Sequence, residues 1–140
     1  MEKLFHCNKT IQEVNQMSPL TWAYIGDGVY ELYIRTYLVH KTNVKPHKLH
    51  AEAIGYVKAH AQAEILKRLE TDLTEEEKEI VRRGRNTQTH HIAKNASMQD
   101  YMYATAFEAL IGYLYLTGQE KRLEKILNSI VEMKNIDLSK

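Results

Sequence analysis

Two carboxylates stand in apolar company. Asp27 lies within Trp22-Ala23-Tyr24-Ile25-Gly26-Asp27-Gly28-Val29-Tyr30-Glu31-Leu32, and Glu108 within Tyr103-Ala104-Thr105-Ala106-Phe107-Glu108-Ala109-Leu110-Ile111-Gly112. A carboxylate among such neighbours is costly to bury unless something positive binds it. A divalent cation held by oxygen ligands is the natural partner, and oxygen-only ligands suit Mg²⁺, with Mn²⁺ as a substitute. Mg²⁺ keeps several of its waters, so one or two protein carboxylates suffice. A site of this kind can supply an activated water and stabilise the charge that develops in phosphodiester hydrolysis. Glu31 follows Asp27 by four residues and shares its helix face, where it can orient or pair rather than ligate. The competing reading is a carboxylate paired with a buried Lys or Arg.

A second constellation is basic. From Arg82 to Gln99 there is no acid, while Arg82, Arg83, Arg85, Asn86, His90, His91, Lys94 and Asn95 all offer donors. An A-form duplex is read mainly through its phosphates and 2′-hydroxyls, a task that suits Arg and Asn on a loop. Lys45, His47, Lys48 and His50 form a possible second contact. The plainer reading of each run is a solvated surface. Seven histidines invite a metal-hydrolase alternative through His47-x-x-His50 or His90-His91. Without H-E-x-x-H or a His-Asp dipeptide, that spacing is poor support.

These groups must be positioned by helices. Thr10-Ile11-Gln12-Glu13 reads as a capping box opening a short helix. Ser18-Pro19 places a cap residue before a first-turn proline, and a long helix runs from there to about His40. Thr42 to Pro46 is a loop. A second long helix covers roughly His47 to Leu69. Thr74-Glu75-Glu76-Glu77 is another capping box, opening a helix that ends near Gly84. Arg85 to Ala96 lacks periodicity and reads as a loop. A helix opened by Ser97 reaches Thr117-Gly118, and a last one covers about Glu120 to Lys134. No strand, repeat or low-complexity tract is evident. The expected fold is all-α, a compact helical domain. If the two carboxylate-bearing helices pack side by side, their acids meet. Gly26 and Gly28, and Ala104 and Gly112, supply the small residues for a close approach.

The 140 residues are expected to form a single domain over 1–140, long enough to bury a core. A formal net charge of +1 excludes a domain that grips nucleic acid by bulk charge alone. Nine tyrosines against two phenylalanines suit half-wet positions at interfaces. The lone Cys7 allows no intramolecular disulfide. Residues 1–12 lack the apolar core of a signal peptide, and the most apolar run, Tyr101 to Leu116, is too short to span a membrane and holds Glu108. A cytoplasmic protein without membrane contact is the expectation.

Ile25-Gly26-Asp27-Gly28-Val29-Tyr30-Glu31 resembles the signature of the ribonuclease III catalytic domain, and Phe107-Glu108-Ala109-Leu110-Ile111-Gly112 resembles that family's second block. Further blocks are similar to the Mini-ribonuclease III pattern. They are Lys45-Pro46-His47-Lys48-Leu49-His50, Tyr56-Val57-Lys58-Ala59 with Gln62-Ala63, Arg83-Gly84-Arg85-Asn86 with Lys94-Asn95, and Ala104-Thr105-Ala106-Phe107-Glu108. The resemblance runs from about Ser18 to Gly118. It departs from the larger ribonuclease III pattern at Ala23, Leu20 and Thr105, each standing where an acid is usual. The site is therefore thinner in carboxylates, and Asp27 and Glu108 are the residues that carry over as catalytic and metal-binding.

The resemblance implies a Mg²⁺-dependent endoribonuclease that cleaves double-stranded RNA to 5′-phosphate and 3′-hydroxyl ends. It implies a homodimer with one centre per protomer, and maturation of a large-subunit (23S) ribosomal RNA precursor. Arg82, Arg83, Arg85, Asn86, Lys94 and Asn95 are the expected RNA-binding residues. The small net charge suggests a substrate presented by a folded RNA or a ribosomal protein. The helix with Trp22, Tyr24, Tyr30 and Tyr33 is the candidate dimer interface. The alternative within the same fold is a non-catalytic, RNA-binding ribosome-assembly factor.

Overall fold

The computed structural model describes residues 7, 9–41, 43–87 and 97–138, with backbone only for 136–138. Among these residues every regular element is helical: α1 (Ile11–Gln16), α2 (Pro19–His40), α3 (Pro46–Val57), α4 (Ala59–Leu69), a 3₁₀ turn (Glu70–Asp72), α5 (Glu75–Asn86), α6 (Met98–Leu116) and α7 (Glu120–Leu138). Both expected capping boxes form. Thr10 caps α1 with Glu13 reaching back, and Thr74 caps α5 with Glu77 reaching back. Ser18 caps α2 ahead of Pro19, and Ser97 caps α6.

The apolar sequence of α6 dictates its place. With Ala, Phe, Leu and Ile on all sides it cannot lie on a surface. It sits at the centre, with α2, α4, α5 and α7 packed around it. The main core joins Tyr30, Ile34 and Leu38 of α2 to Phe107, Leu110, Ile111 and Leu114 of α6 and to Leu66, Leu127 and Ile130. A second cluster gathers Val14, Trp22, Ile80, Ala109 and Tyr113. There the Trp22 indole donates to the Val14 carbonyl at 2.8 Å, and its ring meets Tyr113 edge-on at 5.1 Å. Trp22 and Tyr30 are thus core residues of one protomer, 0% and 1% exposed. This corrects their expected place at a dimer interface. Their aromatic area is spent on α6, while Tyr24 on the opposite face is 79% exposed.

The expected helix from His47 to Leu69 is two helices. Lys58 is extended (φ −64°, ψ 153°), ending α3 and beginning α4. A continuous helix would pair the carbonyls of Tyr56 and Val57 with amides four residues on. Side chains take both carbonyls instead: the Tyr30 hydroxyl donates to Tyr56 at 3.0 Å, and the Gln62 amide to Val57 at 3.0 Å. Gly55, the one interruption visible in the sequence, lies inside α3 and is not where the helix breaks. α5 also runs past Gly84, so Arg85 and Asn86 are helical rather than loop residues.

Candidate active site

Glycine sets the separation of α2 and α6. A Cβ built on Gly26 would fall 1.8 Å from the Glu108 carbonyl oxygen, and one on Gly112 would fall 1.8 Å from that of Trp22. Neither position accepts a side chain, so the helices touch through their backbones. Gly28 faces open space and does not serve this contact. Gly84 repeats the device, with α5 lying against Ala106 and Ala109.

With the backbones in contact, the residue after Gly26 and the side chain of Glu108 converge. Glu108 is half-buried and hydrogen-bonded to the exposed Asp27. Burial pushes its carboxyl up to about 8, and the hydrogen bond and negative charge of Asp27 add to that. A hydrogen bond from Gln62 opposes the rise, and the charge of Glu31 reinforces it. The negative charge of Asp27 therefore makes ionisation of Glu108 costlier than burial alone would. A bound cation would relieve the same repulsion.

Glu31 lies at the edge of this pair. It accepts a hydrogen bond from Arg35 at 2.8 Å, so its charge is partly answered within α2. Among the described residues no three His, Cys, Asp or Glu side chains converge as a ready-made metal cage. The remaining donors would be waters, which Mg²⁺ tolerates. The donors fit a hard cation: two acids, all oxygen.

Arg35 was not singled out by the sequence, and Gln62 appeared there only within a family-like block, without a role. Gln62 is 3% exposed, between the buried Ala61 and Ala63 on α4. With Glu64 two residues on, the sequence does not distinguish Gln62 from a surface residue; only its burial does.

The basic residues are distributed differently from their expected grouping. Arg82 is paired with Glu79 on α5. The Arg83 guanidinium stacks 4.6 Å from the Trp22 ring and donates to the Asn15 carbonyl at 3.2 Å, tying α1 and α2 to α5. Arg85 lies over Tyr103, 5.9 Å from its centroid, with Lys67 at 5.4 Å. Arg82 and Arg85 also line a surface groove with Lys78 and Thr71. Asn86 is exposed at the end of α5. Lys94 and Asn95, with His90 and His91, lie outside the described residues.

Residues 20–119 match the family described as "Ribonuclease III domain". Curated relatives called Mini-ribonuclease 3 match nearly end to end. The Thermoanaerobacter sp. (strain X514) protein is 52% identical over 89% of this chain and 87% of its own. The Clostridium tetani protein is 47% identical over 89% and 83%, and the Staphylococcus aureus protein 44% identical over 91% and 97%. A crystal structure of a Fusobacterium nucleatum protein superposes with a TM-score of 0.77 at 32% identity, covering 87% of this chain and 98% of that one. The chain belongs to the ribonuclease III domain family, in the group of the Mini-ribonucleases 3, and its class is that of a ribonuclease.

Proposed function

We propose that the protein is a Mg²⁺-dependent endoribonuclease of double-stranded RNA, acting in the cytoplasm as one domain over residues 1–140. Asp27 and Glu108 hold the metal. The observation that carries this reading is the hydrogen-bonded contact of Asp27 with Glu108 across the Gly26–Gly112 crossing. When bound, the ion lowers the pKa of a coordinated water and offsets charge on the phosphodiester oxygens. The chain's own residues do the rest. The α2–α6 crossing holds the two acids together, and Arg35 partly answers the charge of Glu31.

Substrate binding falls to Arg82, Arg85 and Asn86, with Lys94 and Asn95 on the segment after α5. Arg83 is less available, because Trp22 and Asn15 hold it. The products are 5′-phosphate and 3′-hydroxyl ends, and the substrate is a large-subunit (23S) ribosomal RNA precursor, presented by its own fold or a ribosomal protein. A homodimer gives two antiparallel strands equivalent centres. What supports it is the outer side of α2, where Tyr24, Leu32 and Val39 are 79%, 63% and 67% exposed. No described helix is long and apolar enough to cross a membrane.

Cleavage of a labelled duplex RNA, with Mg²⁺ and with chelator, tests the proposal. The expected result is Mg²⁺-dependent cutting of both strands to 5′-phosphate ends. Tight duplex binding without any cleavage would favour the RNA-binding assembly factor.

A further inference from the structure

Three cations of α4 and α5 are answered by an acid three residues earlier on the same helix. Lys67 reaches Glu64, Lys78 reaches Glu75 and Arg82 reaches Glu79. Arg85 is not answered in this way. The residues three and four before it are Arg82 and Val81, and the chain from Arg82 to Gln99 holds no acid. Among the described residues no carboxylate pairs with it. Glu70 lines the same surface groove, but no ion pair joins it to Arg85.

A ring holds Arg85 instead. Its guanidinium lies 5.9 Å from the centroid of Tyr103 on α6. The Lys67 ammonium comes from α4 to the same ring, 5.4 Å from the centroid. Tyr103 is half-buried and packs against the main core, so it is a fixed platform. Two cations from separate helices thus share one tyrosine, with Arg82 one turn from Arg85. The ring attracts each of them through its face, but it is neutral and does not offset their mutual repulsion. This concentration of charge stands in a chain of formal net charge +1.

An anion with several oxygens completes such a set. Arg offers it a planar fork of donors, and Lys offers a point charge. Tyr103 precedes Glu108 by five residues, which is about 7.5 Å along α6 and about 140° round its axis. The cluster therefore lies near the paired acids but on another side of the helix that carries Glu108.

We propose that Lys67, Arg85 and Tyr103 form a phosphate clamp for duplex RNA: the ring steadies both cations, and they engage backbone phosphates beside the cleavage centre. The proposal rests on the reading of the chain as a nuclease of duplex RNA. It brings into the RNA-binding surface two residues outside the basic run, Lys67 and Tyr103, and extends that surface from α5 onto α4.

The test measures binding of a labelled duplex RNA in chelator across a salt series. It compares wild type with Lys67→Gln, Tyr103→Leu and Tyr103→Phe, beside kcat at saturating RNA with Mg²⁺. Lys67→Gln removes the charge at an exposed position. It should weaken binding and flatten the log–log salt slope by roughly 0.7–0.9 for each phosphate no longer engaged, with kcat unchanged. Tyr103→Leu should weaken binding in the same way, and Tyr103→Phe, which keeps the ring, should bind as wild type does. Lys67→Gln with wild-type affinity and slope would overturn the clamp, whether or not Tyr103→Leu folds. A folded Tyr103→Leu protein with unchanged affinity would overturn it as well.

The two readings fail separately. Wild type that binds the duplex, depends on Lys67 for affinity and slope, and yet cuts no RNA keeps the clamp and removes the nuclease. Wild type that cuts RNA, with affinity and slope indifferent to Lys67, keeps the nuclease and removes the clamp.

Discussion

Gly26 and Gly112 are reciprocal: each lies against a backbone carbonyl of the other's helix, that of Glu108 for Gly26 and that of Trp22 for Gly112. The contact sets the distance between the helices that carry the two acids. Gly26→Ala should separate α2 from α6, because the obstructing atoms are backbone and cannot rotate away. A cost of about 3 kcal/mol or more is expected, at the upper end of overpacking effects. Gly28→Ala meets open space and should be stabilising by roughly 0.5–1 kcal/mol, as for a helical Gly replaced by Ala. Urea denaturation of both variants checks the contrast, and equal midpoints would defeat the account of the crossing.

The two acids serve one site, so their losses should not add. Asp27→Asn and Glu108→Gln should each abolish measurable cleavage at saturating Mg²⁺ with the fold retained, since the amides are near-isosteric and uncharged. The double variant should be no worse than the poorer single one. Single-turnover cleavage measures this. Two large losses that multiply would argue against a shared ion.

Without metal, the same pair should make the protein less stable as pH rises. Glu108 holds its proton in the folded state up to about 8, while an ordinary carboxyl loses it near 4.5. Between those values the folded state binds more protons than the unfolded one, so stability falls with rising pH and levels off above about 8. Glu108→Gln removes the titrating group and keeps a hydrogen-bonding side chain. In chelator at pH 8 it should melt a few degrees above wild type, and at pH 5 the gap should shrink. Melting curves across that range decide it; a gap that widens toward acid would refute the assignment.

A second buried acid should behave in the opposite sense. Arg122 donates twice to Glu77, both at 2.8 Å, and once to the Asp72 carbonyl at 2.9 Å, fastening α7 to α5. Burial pushes the Glu77 carboxyl up, but the hydrogen bonds from Arg122 and Thr74 outweigh it and leave the carboxyl below the usual range. The contribution is full above the ordinary carboxylate pKa and is lost as pH falls through the lowered folded value. Arg122→Ala should cost roughly 2–3 kcal/mol at neutral pH, because it strands a buried charge. The difference from wild type should shrink in acid. Denaturation at pH 7 and pH 3 measures both parts.

The basic residues of α5 and of the chain segment that follows it should control affinity more than chemistry. Arg82, Arg85 and Lys94 changed together to Ala should weaken duplex binding and flatten its salt dependence. The expected change is roughly 0.7–0.9 in log–log slope for each phosphate no longer engaged. Turnover at saturating RNA should fall much less. Arg83→Ala should instead lower the melting temperature, because its guanidinium packs on Trp22. Salt-titrated binding isotherms distinguish the two; an unchanged slope and affinity in the triple variant would make this run a solvated surface.

The sequence alone determined the helical class and most of the boundaries, because their causes are local. Thr10, Ser18, Thr74 and Ser97 cap helices through hydrogen bonds that reach no further than three residues. The most apolar run, Tyr101 to Leu116, was legible as one helix, but its place at the centre was settled by packing. The sequence also exposed the oddity of Asp27 and Glu108, whose neighbours make ionisation costly. The tertiary structure alone decided matters in which one residue's role depends on another distant in the chain. Trp22 and Tyr30 became core rather than interface because α6 lies on their side of α2. α3 and α4 separate at Lys58, where the distant Tyr30 hydroxyl takes the Tyr56 carbonyl in place of a helical amide. Arg83 parted from its neighbours because helical spacing aims it at Trp22 and Asn15, while Arg85 lies over Tyr103. The approach of Asp27 to Glu108 needed two glycines 86 positions apart in the sequence to face each other. Local chemistry can nominate such residues, but only packing brings them together.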